Sequence, residues 1–282
     1  MLVLPLIPFF LGYKMPDIFN SAPTYIFRMR VDTLFMNKSE KLDNREGNVG
    51  LEFYLKCQSH KLEKLKCHIP KNITNLPSLD SIPQVEKNLF TLSSLQFRGI
   101  RFRMEFDVKG VKSYRILVKN VKDKETLLKV YQFIGDQLSV GADLRKRGSE
   151  FTAIEKTIIG KCPTHYKINR IKAVNRREIE LVSFLARHGY ELNKDEALFI
   201  NKTRRVNECY PNNNYILGKI LWTDLITSNN TEKLQESQTL MLFTQGEYYS
   251  KTVNTFQLYN EQDEIAGYVR ETINFKFEFI QG

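Results

Sequence analysis

The sequence predicts an antiparallel β-barrel closed around one central helix, with one further short helix. Three observations predict it. Runs of β-branched and aromatic residues with period-two alternation recur along the 282 residues. One stretch with helical spacing and a single apolar stripe interrupts them. Polar segments rich in Pro, Gly and Asn separate the runs. Many short strands and one striped helix bury their apolar faces together when the sheet curls over the helix.

The elements follow in order. Residues 2–11 are apolar and end at Gly12. They fall short of the ~20 apolar residues that a membrane-spanning helix needs. Residues 1–22 therefore read as a secretory signal peptide, with a buried amino-terminal strand as the alternative. Residues 25–32 and 49–56 are strands joined by a polar loop that contains Gly47. Leu62, Leu65 and Cys67 extend the next strand across from Cys57. Pro70, Pro77 and Pro83 mark an ordered loop or linker. Residues 99–106 alternate cleanly, with Ile100, Phe102, Met104 and Phe106 on one face and Arg101, Arg103 and Glu105 on the other. They turn at 107–110 and return at 113–118.

Residues 124–139 form the central helix, with Leu127, Leu128, Tyr131, Ile134, Gly135 and Leu138 in step and Asp123 as N-cap. A second helix is expected over 177–188, stopped by Gly189. Strands resume at 197–200, 215–222, 240–244, 252–259 and 268–280. No internal repeat or low-complexity block divides the chain, so residues 23–282 form one domain.

Apolar residues make up 42% and aromatics 12%, enough for a packed core. The formal charge of +10 predicts attraction to polyanions without choosing among acidic proteins, anionic lipid headgroups, sulfated glycans and nucleic acid. The candidate docking residues are Arg98, Arg101, Arg103, Lys112 and Arg115 around one hairpin, and Arg145, Lys146 and Arg147 after the helix. The plainer reading is a solvated face whose cations block edge-to-edge pairing.

Four cysteines, Cys57, Cys67, Cys162 and Cys209, allow three pairings, and four reduced thiols are the alternative. No C-x-x-C spacing points to zinc, and the four histidines are scattered, so neither metal nor cofactor is expected. Asn37, Asn72 and Asn229 open N-x-S/T sequons and are candidate glycosylation sites; Asn201 opens another. There is no G-x-S-x-G elbow, phosphate-binding glycine loop or H-E-x-x-H pair. His165 lies near Cys162 without a third partner. An enzyme is not expected.

One constellation is more specific. Thr157, Gly160 and Cys162 are followed by Lys202-Thr203, then Cys209, then the segment Tyr215 to Gly218. The layout resembles the amino-terminal domain of vitellogenins, in the large lipid-transfer protein family. The family pattern is T-x-G-x-C, then K-T-x-x-x-x-x-C, then a short aromatic-to-glycine strand; this chain has one extra residue in the first part. Residues 25–34 resemble the opening strand, 111–116 the strand before the helix, and Gln137-Leu138 the helix end.

The resemblance implies a secreted protein of lipid transport or yolk storage, whose barrel meets a lipoprotein-type endocytic receptor. It implies a Cys162–Cys209 disulfide; proximity on adjacent strands adds Cys57–Cys67. Lipid is the one ligand it implies, and a longer vitellogenin-like chain is a further partner. Vitellogenins run on into a helical solenoid and lipid-enclosing sheets, so bulk lipid carriage is not expected of these residues alone. A basic module that binds sulfated glycan or nucleic acid through the same charge is the competing function, although no RNA-recognition signature is present.

Overall fold

The computed structural model describes residues 24–37, 48–59, 64–70, 99–107, 109–118, 124–144, 148–172, 196–211, 216, 231–244 and 247–281, with the backbone of short strands at 3–7, 11–14, 89–91 and 181–182. The first strands are β1 (Val3–Ile7), β2 (Leu11–Lys14), β3 (Thr24–Asn37), β4 (Asn48–Ser59), β5 (Lys64–His68), β6 (Leu89–Thr91), β7 (Arg101–Asp107) and β8 (Gly110–Ile116). The helix α1 (Lys124–Leu138) comes next. After it lie β9 (Glu150–Lys156), β10 (Lys161–Lys172), β11 (Leu181–Val182), β12 (Glu196–Arg204), β13 (Thr231–Phe243), β14 (Tyr248–Tyr259) and β15 (Ile265–Gln281).

Most strands join one twelve-stranded sheet in the order β8-β7-β5-β4-β3-β15-β14-β13-β12-β10-β9, with β6 parallel beside β4. The period-two pattern carries through: on β7, Phe102, Met104 and Phe106 are buried, while Arg101 and Asp107 are exposed. A second sheet, β1-β2-β11, lies apart from that path. Leu181 and Val182 pair with Tyr13 and Gly12 there, so this part of the expected second helix is strand. Pairing with a distant strand overrides local helical spacing. The rest of 177–188, Asp123, and the expected 215–222 strand apart from Ile216 fall outside the described residues.

The two ends of the ladder, β8 and β9, are the strands that flank α1 in the chain. No ladder joins them among the described residues, so the sheet curls around the helix without the expected hydrogen-bonded closure. The helix end lies at the seam instead. Val111 N–H donates to Ser139 Oγ at 2.9 Å, and Gly141 N–H to the Lys109 carbonyl at 2.7 Å. On the other side, Ile158 N–H donates to Asp136 Oδ2 at 2.8 Å.

Helix packing draws on both halves of the sheet. Tyr131 stacks on Phe102 of β7 with ring centroids 3.7 Å apart. The Tyr248 hydroxyl of β14 donates to the Gln137 carbonyl. Val130 and Phe133 are buried along with Leu127, Tyr131, Ile134 and Leu138, so more of the helix is covered than one stripe. The side chain of Tyr114 lies against Gly135, where a methyl group would collide with the ring.

Two disulfides form. Cys57 and Cys67 sit directly opposite each other on β4 and β5. Cys162 on β10 bonds Cys209, which follows the 3-10 turn Val206–Glu208. The motif glycine has a clear role here. Gly160 has φ +142°, and a side chain on it would run into the Pro211 carbonyl. Lys161 and Tyr210 exchange backbone hydrogen bonds at 3.0 Å each, bringing the two cysteines' segments together.

Loop lengths rank the bridges. The Cys162–Cys209 loop spans 47 residues and the Cys57–Cys67 loop 10. Chain entropy assigns them about 4 and about 3 kcal/mol respectively. Urea unfolding of the Cys162→Ser/Cys209→Ser pair should therefore show the larger loss. Gly160→Ala should destabilise by about 2 kcal/mol or more, because both its φ and the facing backbone exclude Cβ.

Candidate functional site

The outer face of β5, β7 and β8 concentrates cations. Strand register puts Gln58, Lys66, Arg103 and Arg115 in one row across four strands. The adjacent row runs Lys56, His68 and Arg101. Like charges directly opposite on a sheet repel, and neither row contains a carboxylate. An acid on this face, Glu105, is shared: Lys64 Nζ lies 3.0 Å from it and Arg103 at 3.5 Å. Arg103 Nε is buried with no hydrogen-bond partner. Burial, followed by the charges of Arg101, Lys56 and Lys66, holds the His68 imidazole below its usual pKa.

Of the candidate basic residues, Arg101, Arg103 and Arg115 share this face. Lys112 is exposed beside the bulge in the β7–β8 pairing. Arg98, Arg145, Lys146 and Arg147 fall outside the described residues. So do the candidate glycosylation sites Asn72 and Asn229, while Asn37 ends β3. Sequence reasoning missed Lys56, Lys66 and His68. Their signal was the alternation of Lys64, Lys66 and His68 with Leu65 and Cys67. His165 pairs with Glu150 at 3.1 Å, and Cys162 is in a disulfide.

A second cluster lies inside, unforeseen. Glu155 of β9 is buried between two cations of β12: Lys202 Nζ donates to Oε1 at 2.7 Å and Arg204 Nε to Oε2 at 2.8 Å. Lys202 also donates to the Ser139 carbonyl at 2.9 Å, and Arg204 to Ser237 and Thr239 at 3.0 Å each. Thr239 bonds Thr252, which with Ser250 donates to Gln137 Oε1 on the helix. Burial opposes ionisation of Glu155, but the Arg204 and Lys202 charges outweigh it and hold its pKa below the ordinary value. Arg204 is held above its ordinary value, the Glu155 charge overcoming burial. Half-buried Asp136 is pushed up to about 7 by desolvation.

The register extends this cluster into a band. Thr164, Arg204, Ser237, Asn254, Glu271 and Thr33 lie opposite one another on six successive strands, all buried. The band separates the large core around α1 from a smaller one containing Cys162, Cys209, Leu234, Phe256 and Val269.

Glu155→Gln leaves two buried cations without their counter-charge and should cost about 3–5 kcal/mol in urea unfolding. Asp136 binds its proton more tightly folded than unfolded, so its contribution to stability falls as pH rises from 3.8 to about 7. The advantage of Asp136→Asn over wild type should accordingly grow across that window and level off above it. An advantage that shrinks with rising pH would contradict this assignment.

Comparison with known proteins addresses the fold. No family model matches the chain, and no curated protein sequence matches it. Among solved structures, one of lipovitellin, described for its lipid–protein interactions, is similar over 93% of this chain with a TM-score of 0.52 and 12% identity. The chain spans 26% of that longer one. The curled sheet with its enclosed helix is thus a lipovitellin-like fold.

Proposed function

We propose that this chain is an extracellular, vitellogenin-like protein of lipid transport or yolk delivery. It docks an acidic partner, a lipoprotein-type endocytic receptor, and does not carry bulk lipid by itself. The observation that carries the reading is the lipovitellin-like fold over 93% of the chain. Two disulfides fit an oxidising compartment. Lipid and a longer vitellogenin-like chain are its further partners. The docking surface is the Lys66–Arg103–Arg115 row with its flanking cations.

A second reading takes the same face as a general polyanion binder for sulfated glycan or nucleic acid. The acid-free rows favour it, because they suit any dense anionic array. Acidic receptor modules and heparin, compared over a salt titration, separate the two. Selective binding to the modules supports receptor docking, and indiscriminate binding with a steep salt slope supports the second reading.

Native mass spectrometry of the secreted, non-reduced protein, followed by organic extraction, tests the compartment and the cargo. The expected result is two intact disulfides with no bulk lipid. Four free thiols would overturn secretion, and many lipids per chain would overturn the docking-only role.

A further inference from the structure

We propose that the free side of β9 is a self-association edge, pairing antiparallel with β9 of a second copy of this chain across a two-fold axis at Ala153. The inference is independent of the docking reading above. β9 ends the ladder, and no strand pairs with its other side among the described residues. The hairpin to β10 determines which backbone groups that side presents. Thr157 and Gly160 exchange backbone hydrogen bonds at 2.9 and 3.2 Å, and Ile168 N–H donates to the Ser149 carbonyl. Phe151, Ala153 and Glu155, opposite Tyr166, Thr164 and Cys162, therefore turn their backbone groups toward β10. Glu150, Thr152, Ile154 and Lys156 turn theirs away from it, and all four residues are exposed. Ile154, an aliphatic side chain, is 61% exposed.

The edge is self-complementary. In a two-fold pairing centred on Ala153, Glu150 of each copy faces Lys156 of the other, and Thr152 faces Ile154. These are the residues with outward backbone groups, so each facing pair exchanges both hydrogen bonds. All 7 residues of β9 are paired in this register. A slip of two residues either way keeps the bond pattern but shortens the ladder and parts both Glu–Lys pairs. The two Ile154 side chains lie diagonally across the axis, within reach of each other, and cover apolar surface that each copy exposes alone. Glu150 also meets His165 at 3.1 Å on its own sheet, yet its side chain stays 59% exposed to the incoming lysine. The other end of the ladder does not invite its own copy. β8 carries Lys112 and Arg115 and no acid, and such cations guard an edge against pairing. A β9–β9 contact is isologous, so it closes as a dimer.

Sedimentation equilibrium of the full chain at low salt measures the dimer. One strand edge is a small interface, so the wild type should dimerise with a Kd of roughly tens of micromolar. Lys156→Glu sets two like-charged pairs across the axis and should weaken the dimer on the order of ten-fold. Glu150→Lys/Lys156→Glu reverses both charges and should return it to within about three-fold of wild type. A merely damaged fold would not recover in this way. Thr152→Pro removes an outward donor from each copy while leaving the β10 ladder its bonds, and it should weaken the dimer by a similar factor. A wild type that stays monomeric at about 500 µM would overturn the proposal. So would a dimer that Lys156→Glu and Thr152→Pro both leave unchanged, or a double variant no tighter than Lys156→Glu.

Discussion

The carboxylate of Glu155 is the point through which the sheet, its seam and the helix are tied together. Unpaired, it would be costly to bury. Flanked by Lys202 and Arg204, it is ionised, and both cations are spoken for. Lys202 reaches on to the Ser139 carbonyl, and Ser139 in turn accepts from β8. One residue beyond α1 thus links β12, near one end of the ladder, to the strand at the other end. Replacing such a cluster with apolar residues can leave stability unchanged or improved. Its contribution here is registration: it holds the end of the helix over one position of the sheet.

The strands were readable where apolar and polar residues alternate strictly, as in β7, and α1 was readable to within a residue of its end because its apolar spacing is regular. The interior cluster was not. Glu155 alternates with Ala153 and Phe151 on the inner face, but a carboxylate at that position reads as solvent-facing until its partners, 47 and 49 residues away, are known. The lysine of the Lys202-Thr203 motif is fully buried, and nothing in the motif's spacing says which side of the sheet it takes. Half of the outer basic face was legible as Arg101, Arg103 and Arg115. The other half arrives through strand pairing that only the fold supplies. Closure was unreadable for the same reason, since no local pattern says whether β8 meets β9 or stops at the helix.

The chain's cations therefore serve in two different environments. Lys202 and Arg204 are spent internally on one carboxylate and a set of hydroxyls. The cations of the outer rows stand on the opposite side of the sheet from the core, where their mutual repulsion weighs against the folded state. The same +10 balance cannot tell these populations apart. Only the strand register does so, by assigning alternate residues to opposite faces.

The seam at β8 and β9 has a mechanical consequence. A barrel closed by hydrogen bonds has its girth fixed by strand number and stagger. In this sheet the end of the helix stands between the two terminal strands, held by side-chain and backbone bonds to each side. Its girth therefore depends on a side-chain clasp at Ser139 as well as on the strand ladders.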